Sequence, residues 1–247
     1  MLKVKNVSKS YDNGGLFSGK KQTVLKDISL ECQCGECVGI IGESGSGKST
    51  LGRLILGIEK PDSGSVFFEG KPVLDKKARV GKISAVFQDY TSSINPFFTV
   101  EKSIIEPLKI KHKDYVYNQK KVDLLLHQVG LNTSYRNRYP HELSGGEAQR
   151  VCIARAIATE PKLILLDETT SSLDGCVQVQ VLELLKSLRE TCKTSYIFIT
   201  HDIQAAAYIC DRVLIVRNGC IEESVEVDQL KNVKSGYTRK LLDVVMA

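Results

Sequence analysis

The sequence predicts an α/β fold: a core of mostly parallel strands, opened by antiparallel β structure and interrupted by an inserted run of helices. Three observations predict it. The short apolar runs CVGII (37–41), LILL (163–166) and YIFIT (196–200) have the form of strands buried on both faces of a parallel sheet. CVGII runs into a glycine-rich loop and then a helical pattern, the order of a parallel strand–loop–helix unit. Between 89 and 142 the strand pattern gives way to helical periodicity. With 247 residues, 42% of them hydrophobic, the chain has room for one such core and a small insertion.

The elements follow in order. LKVKNV (2–7) and TVLKDISLEC (23–32) alternate, and the second places Val24, Ile28, Leu30 and Cys32 on one face, so both are expected as strands. DNGGLFSGKKQ (12–22) between them is glycine-rich and polar, an exposed loop. After CVGII and its loop, Leu51, Leu54, Ile55 and Ile58 recur at helical spacing, with Pro61 closing the helix. SGSVFFEGK (63–71) and ISAVFQ (83–88) are further strands. In the insertion, Val122, Leu125, Leu126 and Val129 form one apolar stripe and Gly130 is its stop. Parallel-sheet runs return in KLILLDE (162–168), TSYIFITHD (194–202) and RVLIVRNG (212–219), and Asn218–Gly219 is a hairpin turn into CIEESV.

Composition narrows the classes. No run approaches the roughly 18 apolar residues of a membrane helix, and MLKVKNVSKSY lacks the features of a secretory leader. A cytosolic protein is expected, with any membrane role resting on partners. The net charge of +5 comes without a basic stripe interleaved with aromatics, so a solvated surface is the ordinary account. Cys32, Cys34 and Cys37 invite a metal reading, with Cys32 and Cys34 on one face of a strand. A structural zinc wants four ligands, and no His or second cysteine pair is near in sequence. Buried reduced thiols are the expectation.

The chemistry lies at the loops. GESGSGKST (42–50) fits G-x-x-x-x-G-K-[ST] through Gly42, Gly47, Lys48 and Ser49, with Ser44, Gly45 and Thr50 in the same stretch. Backbone N–H groups of such a loop point at phosphate oxygens, Lys48 reaches the β- and γ-phosphates, and Ser49 ligates Mg²⁺. A chance match on a surface loop would lack the strand before and the helix after. LILLDE brings Asp167 to the carboxyl end of a buried strand, suited to the shell of Mg²⁺, with Glu168 beside it suited to polarising water. Gln88 follows ISAVF and His201 follows YIFIT, so each stands at a strand end. Gln88 suits Mg²⁺ or the attacking water, and His201 suits a hydrogen bond to the γ-phosphate. In LSGGE, Ser144, Gly145, Gly146 and Glu147 open a helix whose positive end attracts an anion. The first loop already completes a nucleotide grip, so this second cradle is read as serving a nucleotide held by another subunit.

Together GESGSGKST, VFQD, LSGGE…QR, LILLDE, SSLD and ITHD resemble an ATP-binding-cassette (ABC) ATPase over nearly the whole chain. The resemblance implies a P-loop NTPase (RecA-like) core with an antiparallel β subdomain and an inserted helical subdomain. The expected division is a nucleotide-binding core at 1–88 and 150–225, helices at 89–149 and a tail at 226–247. It implies ATP and Mg²⁺ as cofactors, with Ser49, Gln88 and Asp167 toward the metal, and hydrolysis involving Glu168, His201, Gln88 and Lys48. It implies head-to-tail dimers in which Ser144, Gly145, Gly146, Glu147 and Asp174 face the partner's ATP, and it puts Tyr11 at the adenine-stacking aromatic. Three positions depart from the family pattern: Glu147 where Gln is commoner, Thr169 for a proline, and Ser172 for an alanine.

FQDYTSSINPFFTV (87–100) and the tail SGYTRKLL (235–242) are similar to the oligopeptide, dipeptide and nickel importer ATPases, of the shorter kind. That implies a second, different ATPase chain, two permease subunits and an extracytoplasmic binding protein as partners, at the cytoplasmic face of the membrane. The cargo expected is metal, metal chelate or di- and oligopeptide, with a lean to metal. The alternative is a non-transport ATPase acting on nucleic acid or ribosomes, whose relatives carry coiled coils, zinc modules or tandem cassettes.

Overall fold

The structure, a computed structural model, describes residues 1–12, 21–89, 93–111, 114–171 and 173–246. Residues 13–20 of the expected loop, positions 90–92 of the importer-like stretch, and Ser172 lie outside them. The elements begin β1 (Leu2–Asp12), β2 (Lys21–Cys32), β3 (Cys37–Ile41), α1 (Lys48–Ile55), β4 (Ser63–Phe68), β5 (Lys71–Pro72), α2 (Lys76–Arg79) and β6 (Ile83–Val86). Then come α3 (Val100–Leu108), α4 (Tyr115–Gln128), 3₁₀ turns at Thr133–Asn137 and Pro140–Glu142, and α5 (Gly145–Ile157). The chain continues through β7 (Leu163–Asp167), α6 (Gly175–Cys192), β8 (Ser195–Thr200), α7 (Ile203–Ile209), β9 (Arg212–Arg217) and β10 (Cys220–Glu226). A 3₁₀ turn at Val227–Asn232 and α8 (Gly236–Met246) follow. Two compact units result, one of Met1–Arg79 with Ile197–Ala247 and one of Val80–Tyr196.

The first unit holds an antiparallel sheet in the order β2-β1-β4-β5. Its inner face is built by Leu2, Val4, Val7, Leu25, Ile28, Leu30, Cys32, Val66 and Phe68, all buried. Here one expectation is corrected: Leu25, not Val24, shares the face of Ile28. Asn6 and Asp27 both adopt positive φ, 47° and 53°, and the register shifts around them. The extra residue flips the side-chain parity of the strand. The bulge is held by Asn6 Nδ2 donating to Asp27 Oδ1 at 2.8 Å, and by the hydroxyls of Ser29 and Ser8 accepting from the N–H groups of Asn6 and Asp27.

The same unit carries strands in the order β10-β9-β3-β8. β3 lies parallel to β9, Val38 opposite Arg212 and Ile41 opposite Ile215, and is buried throughout, as its unbroken apolar run requires. β9 and β10 turn at Asn218 and Gly219, both at positive φ, as the Asn-Gly pair predicts. α1 ends earlier than its periodicity suggests. Gly57 at φ +63° donates to Leu54 O and Ile58 N donates to Arg53 O, the bond pattern that closes a helix on a left-handed residue. Ile58 therefore lies past the helix and is 58% exposed.

The second unit pairs β6 and β7 in parallel, Ile83 opposite Leu163 and Val86 opposite Leu166, and packs α3, α4 and α5 on one another. The stripe Val122, Leu125, Leu126 and Val129 is wholly buried. Gly130 at φ +75° stops α4, with Leu131 N donating to Leu126 O at 2.9 Å. Arg136 ties α3 to α4 through Glu101 at 3.2 Å and Asp123 at 3.3 Å.

The cysteines divide. Cys32, Cys37, Cys152 and Cys210 are buried, whereas Cys34, Cys176 and Cys192 are exposed. β2 ends at Cys32 and Cys34 sits in the following turn, so the two do not share a strand face. Burial pushes the Cys32 and Cys152 thiols up to about 12. Among the described residues no group of His, Cys, Asp and Glu forms a metal cluster, and no helix is long and apolar enough to cross a membrane.

Candidate nucleotide site

The phosphate loop leaves the buried end of β3. A Cβ on Gly42 would come within 2.1 Å of Val216 O, so the loop can enter only without a side chain there. Gly47, at φ +105°, is the N-cap of α1, and its Cβ would meet Leu25 and the Val24 carbonyl. Gly45, also at positive φ, has nothing within 4 Å; its bare backbone is where a bulky anion can approach. Ser46 O accepts from Gly219 N at 3.2 Å, and Gly219 O accepts from Lys26 N at 2.8 Å, which fixes the loop to the β9–β10 turn and, through it, to β2. Lys48 is only 6% exposed. Its Nζ donates to Gly42 O at 2.8 Å and Glu43 O at 2.9 Å, so the ammonium folds back over the loop. Ser49 is exposed and Thr50 buried.

Two other expected residues belong to this unit. Tyr11, at the end of β1, donates its hydroxyl to Glu59 Oε2 at 2.5 Å. Glu59 also pairs with Arg53 Nε at 2.5 Å, and Lys9 Nζ stands 5.4 Å from the centre of the Tyr11 ring. The Tyr11 hydrogen bond, with the Arg53 guanidinium, holds Glu59 below the usual carboxylate range. The ring is thus set by a network that its sequence position did not reveal. His201 is exposed directly after β8. The turn beyond it is rigid, because Asp202 caps α7 by accepting from Gln204 N and Ala205 N.

In the second unit, Asp167 ends β7 half-buried and Glu168 follows at φ +53°. A non-glycine residue held there stores about 1–3 kcal/mol, a strain that collects at functional positions. The turn is closed by Ser171, whose Oγ donates to Glu168 O at 2.9 Å and accepts from Gln88 Nε2 at 3.4 Å. That places Gln88 in the neighbourhood of the Glu168 backbone, a link by Ser171 that no sequence motif signals. Thr169, at the proline position, is buried, and its hydroxyl has no hydrogen bond among the described residues. Asp174 serves its own chain as the N-cap of α6, accepting from Val177 N at 3.1 Å.

Ser144 caps α5. Its Oγ accepts from Glu147 N at 3.3 Å while Glu147 Oε2 accepts from Ser144 N at 2.7 Å, a reciprocal capping box. The commoner glutamine could close the same box. The carboxylate adds an acceptor for the Tyr135 hydroxyl, and that bond, followed by the Ser144 N–H, holds Glu147 below the usual carboxylate range. Arg138 stacks over the Tyr135 ring at 4.1 Å, so the charge carried by the departure is balanced locally. Gly146 is needed for packing: a Cβ there would meet Val177 at 2.7 Å.

The donors expected toward Mg²⁺ are a hydroxyl, a carboxylate and a carboxamide, all hard oxygens, at half-buried or exposed positions. That chemistry fits a small dication that is bound by one or two protein ligands together with phosphates.

The ABC transporter family model matches residues 25–171. The metal-staphylopine import system ATP-binding protein CntF of Staphylococcus aureus is 50% identical over 98% of both chains. The nickel import ATP-binding protein NikE of Escherichia coli is 39% identical, covering 100% of this chain and 94% of its own. Among solved structures, the post-hydrolysis dimer of the ATP-binding cassette MJ0796, bound to ADP and Pi, superposes with a TM-score of 0.82 at 33% identity, covering 92% of this chain and 99% of that one. Phosphate loop, strand-end carboxylates and a capped second cradle stand in one order along a chain that follows these proteins nearly end to end, and it belongs to the ABC transporter family as an ATP-binding, ATP-hydrolysing cassette.

Proposed function

We propose that this chain powers the import of metal ions held by a small organic chelator. The observation that carries the cargo is 50% identity, over almost the full length of both chains, to a metal-staphylopine import subunit. Nickel import by a 39% identical relative supports a metal as the cargo, and an equally similar oligopeptide transport subunit makes peptide the competing cargo. An ATPase acting on nucleic acid or ribosomes has no counterpart among these relatives.

In this reading Gly42, Ser44, Gly45, Gly47, Lys48, Ser49 and Thr50 hold the ATP phosphates, and Tyr11 supports the adenine. Lys48 exchanges the carbonyls of Gly42 and Glu43 for β- and γ-phosphate oxygens. Ser49, Gln88 and Asp167 would hold Mg²⁺, which supplies charge neutralisation on the phosphates. Glu168 accepts a proton from water as the water oxygen bonds to the γ-phosphorus. The bond to the bridging oxygen then breaks, and ADP and phosphate leave. His201 donates a hydrogen bond to the γ-phosphate. Ser144, Gly145, Gly146, Glu147 and Asp174 face the ATP of a second ATPase subunit, so closure of the pair needs nucleotide at the interface. The insert around Gln88 to Val100 passes that closure to two permease subunits, with this chain lying peripherally on the cytoplasmic membrane face and an extracytoplasmic binding protein delivering cargo.

The test is ATP turnover by the complex purified with its permease and binding protein. Metal–staphylopine should stimulate turnover severalfold, on the order of 1 kcal/mol of coupling, while free Ni²⁺ and an oligopeptide mixture should not. Stimulation by peptide alone overturns the cargo.

A further inference from the structure

Stacking on a base uses the face of an aromatic ring, so the Tyr11 hydroxyl is a group that support of adenine leaves without a task. The backbone of Tyr11 is fixed by pairing with Gln22 of β2, which leaves two side-chain torsions to set where the ring stands. The hydroxyl sets them. It donates to Glu59 Oε2 at 2.5 Å and accepts from Arg53 Nη2 at 3.4 Å. Glu59 Oε1 accepts in turn from Arg53 Nε at 2.5 Å, so phenol, carboxylate and guanidinium close a circuit of three hydrogen bonds.

Both partners are anchored in the helix that follows the phosphate loop. Arg53 lies in the last turn of α1, and its Nη2 also donates to Thr50 Oγ1, three residues earlier, at 3.2 Å. Glu59 is folded back onto the same turn. Gly57 at φ +63° ends the helix, and the N–H groups of Ile58 and Glu59 both donate to Arg53 O. Over the ring stands the Lys9 ammonium, 5.4 Å from its centre and held by Lys60 O at 2.9 Å and Asp62 Oδ1 at 3.4 Å. The Arg53 and Glu59 side chains are 40% and 26% exposed, so as an ion pair alone they contribute little to stability. A phenylalanine would present the same ring to a base; the tyrosine adds a hydroxyl whose bonds fix that ring beforehand. A side chain already held loses less freedom when a ligand packs on it.

We propose that Glu59 and Arg53 are positioning residues for the nucleobase: they hold the Tyr11 hydroxyl so that the ring is preset to take adenine, and they leave the phosphate grip to the loop. This rests on the reading of Tyr11 as the residue that supports adenine.

Two probes separate base from phosphates: ATP and inorganic tripolyphosphate, each titrated with Mg²⁺ into the full-length chain by calorimetry. Glu59→Ala should raise the Kd for ATP about two- to tenfold, the effect of one side chain that must now be ordered on binding. It should leave the Kd for tripolyphosphate unchanged, a split that a merely structural role would not produce. Tyr11→Phe keeps the ring and should do the same. The double variant should bind ATP no more weakly than either single one, since both act through one hydrogen bond. A wild-type ATP Kd in either single variant, additive losses in the double, or an equal loss toward tripolyphosphate each overturns the proposal. Tyr11→Ala tests the reading beneath it. If that variant binds ATP as tightly as the wild type, the adenine role of Tyr11 fails and takes this one with it. If it weakens ATP but Tyr11→Phe and Glu59→Ala do not, the positioning role alone fails.

Discussion

At Gly42–Thr50 and again at Ser144–Glu147 the chain sets glycines at the start of a helix, and the two loops are built in opposite ways. The first is locked by its own unit. Gly42 and Gly47 have no room for a side chain, Lys48 is buried over two loop carbonyls, and the N-cap has no side chain to compete with a ligand. The second is exposed at Ser144 and half-buried from Gly145 to Glu147, and its cap is already occupied by the Ser144–Glu147 box. Around it, Tyr135 and Arg138 compensate a carboxylate. The dipole of an exposed helix start contributes only about 0.3–1 kcal/mol toward an anion. What separates the two is the ammonium: the first loop carries its own cation in Lys48, whereas in the function proposed above the second meets a nucleotide held by another subunit.

Three substitutions break or sharpen that contrast. Glu168→Gln should cut turnover about a hundred- to ten-thousandfold while leaving ATP binding intact, so that both loops can be titrated without chemistry. Normal turnover would remove Glu168 from the role of proton acceptor. Lys48→Ala should weaken ATP binding on the order of a hundredfold, by loss of charge-assisted bonds worth roughly 1.5–3 kcal/mol each. Unchanged affinity, measured by titration calorimetry, would make the first loop no more self-sufficient than the second. Ser144→Arg should leave ATP affinity of the isolated chain unchanged, and lower activity of the assembled pair by about tenfold. It also removes a cap worth about 1 kcal/mol, so its Tm is recorded beside the rate. Loss of ATP binding by the isolated chain would mean that the second loop serves its own nucleotide.

How much could be read beforehand depended on how local each cause was. Gly130 stops α4 and Asn218–Gly219 turns the hairpin as expected, because φ preference is carried within two or three residues. Alternation puts Val24 on the inner face of β2, but the bulge at Asp27 arises from pairing with Asn6, 21 residues away, and turns Leu25 inward instead. Ile58 fits the helical stripe, yet Gly57 ends the helix before it, a local signal outweighed by periodicity. Cys34 was misplaced because alternation continues in the sequence after the strand has stopped.

The site divides along the same line. Sequence by itself determined the loop GESGSGKST, the strand-end carboxylates and the glycines of LSGGE, for those motifs are contiguous and their backbone geometry is local. Only tertiary structure decided that Lys48 rests on loop carbonyls, that Ser171 joins Gln88 to the Glu168 backbone, and that Tyr135 and Arg138 absorb the charge of Glu147. Those pairings span up to 83 positions of chain, and no periodicity encodes them; packing of buried strands and helices brings the partners together.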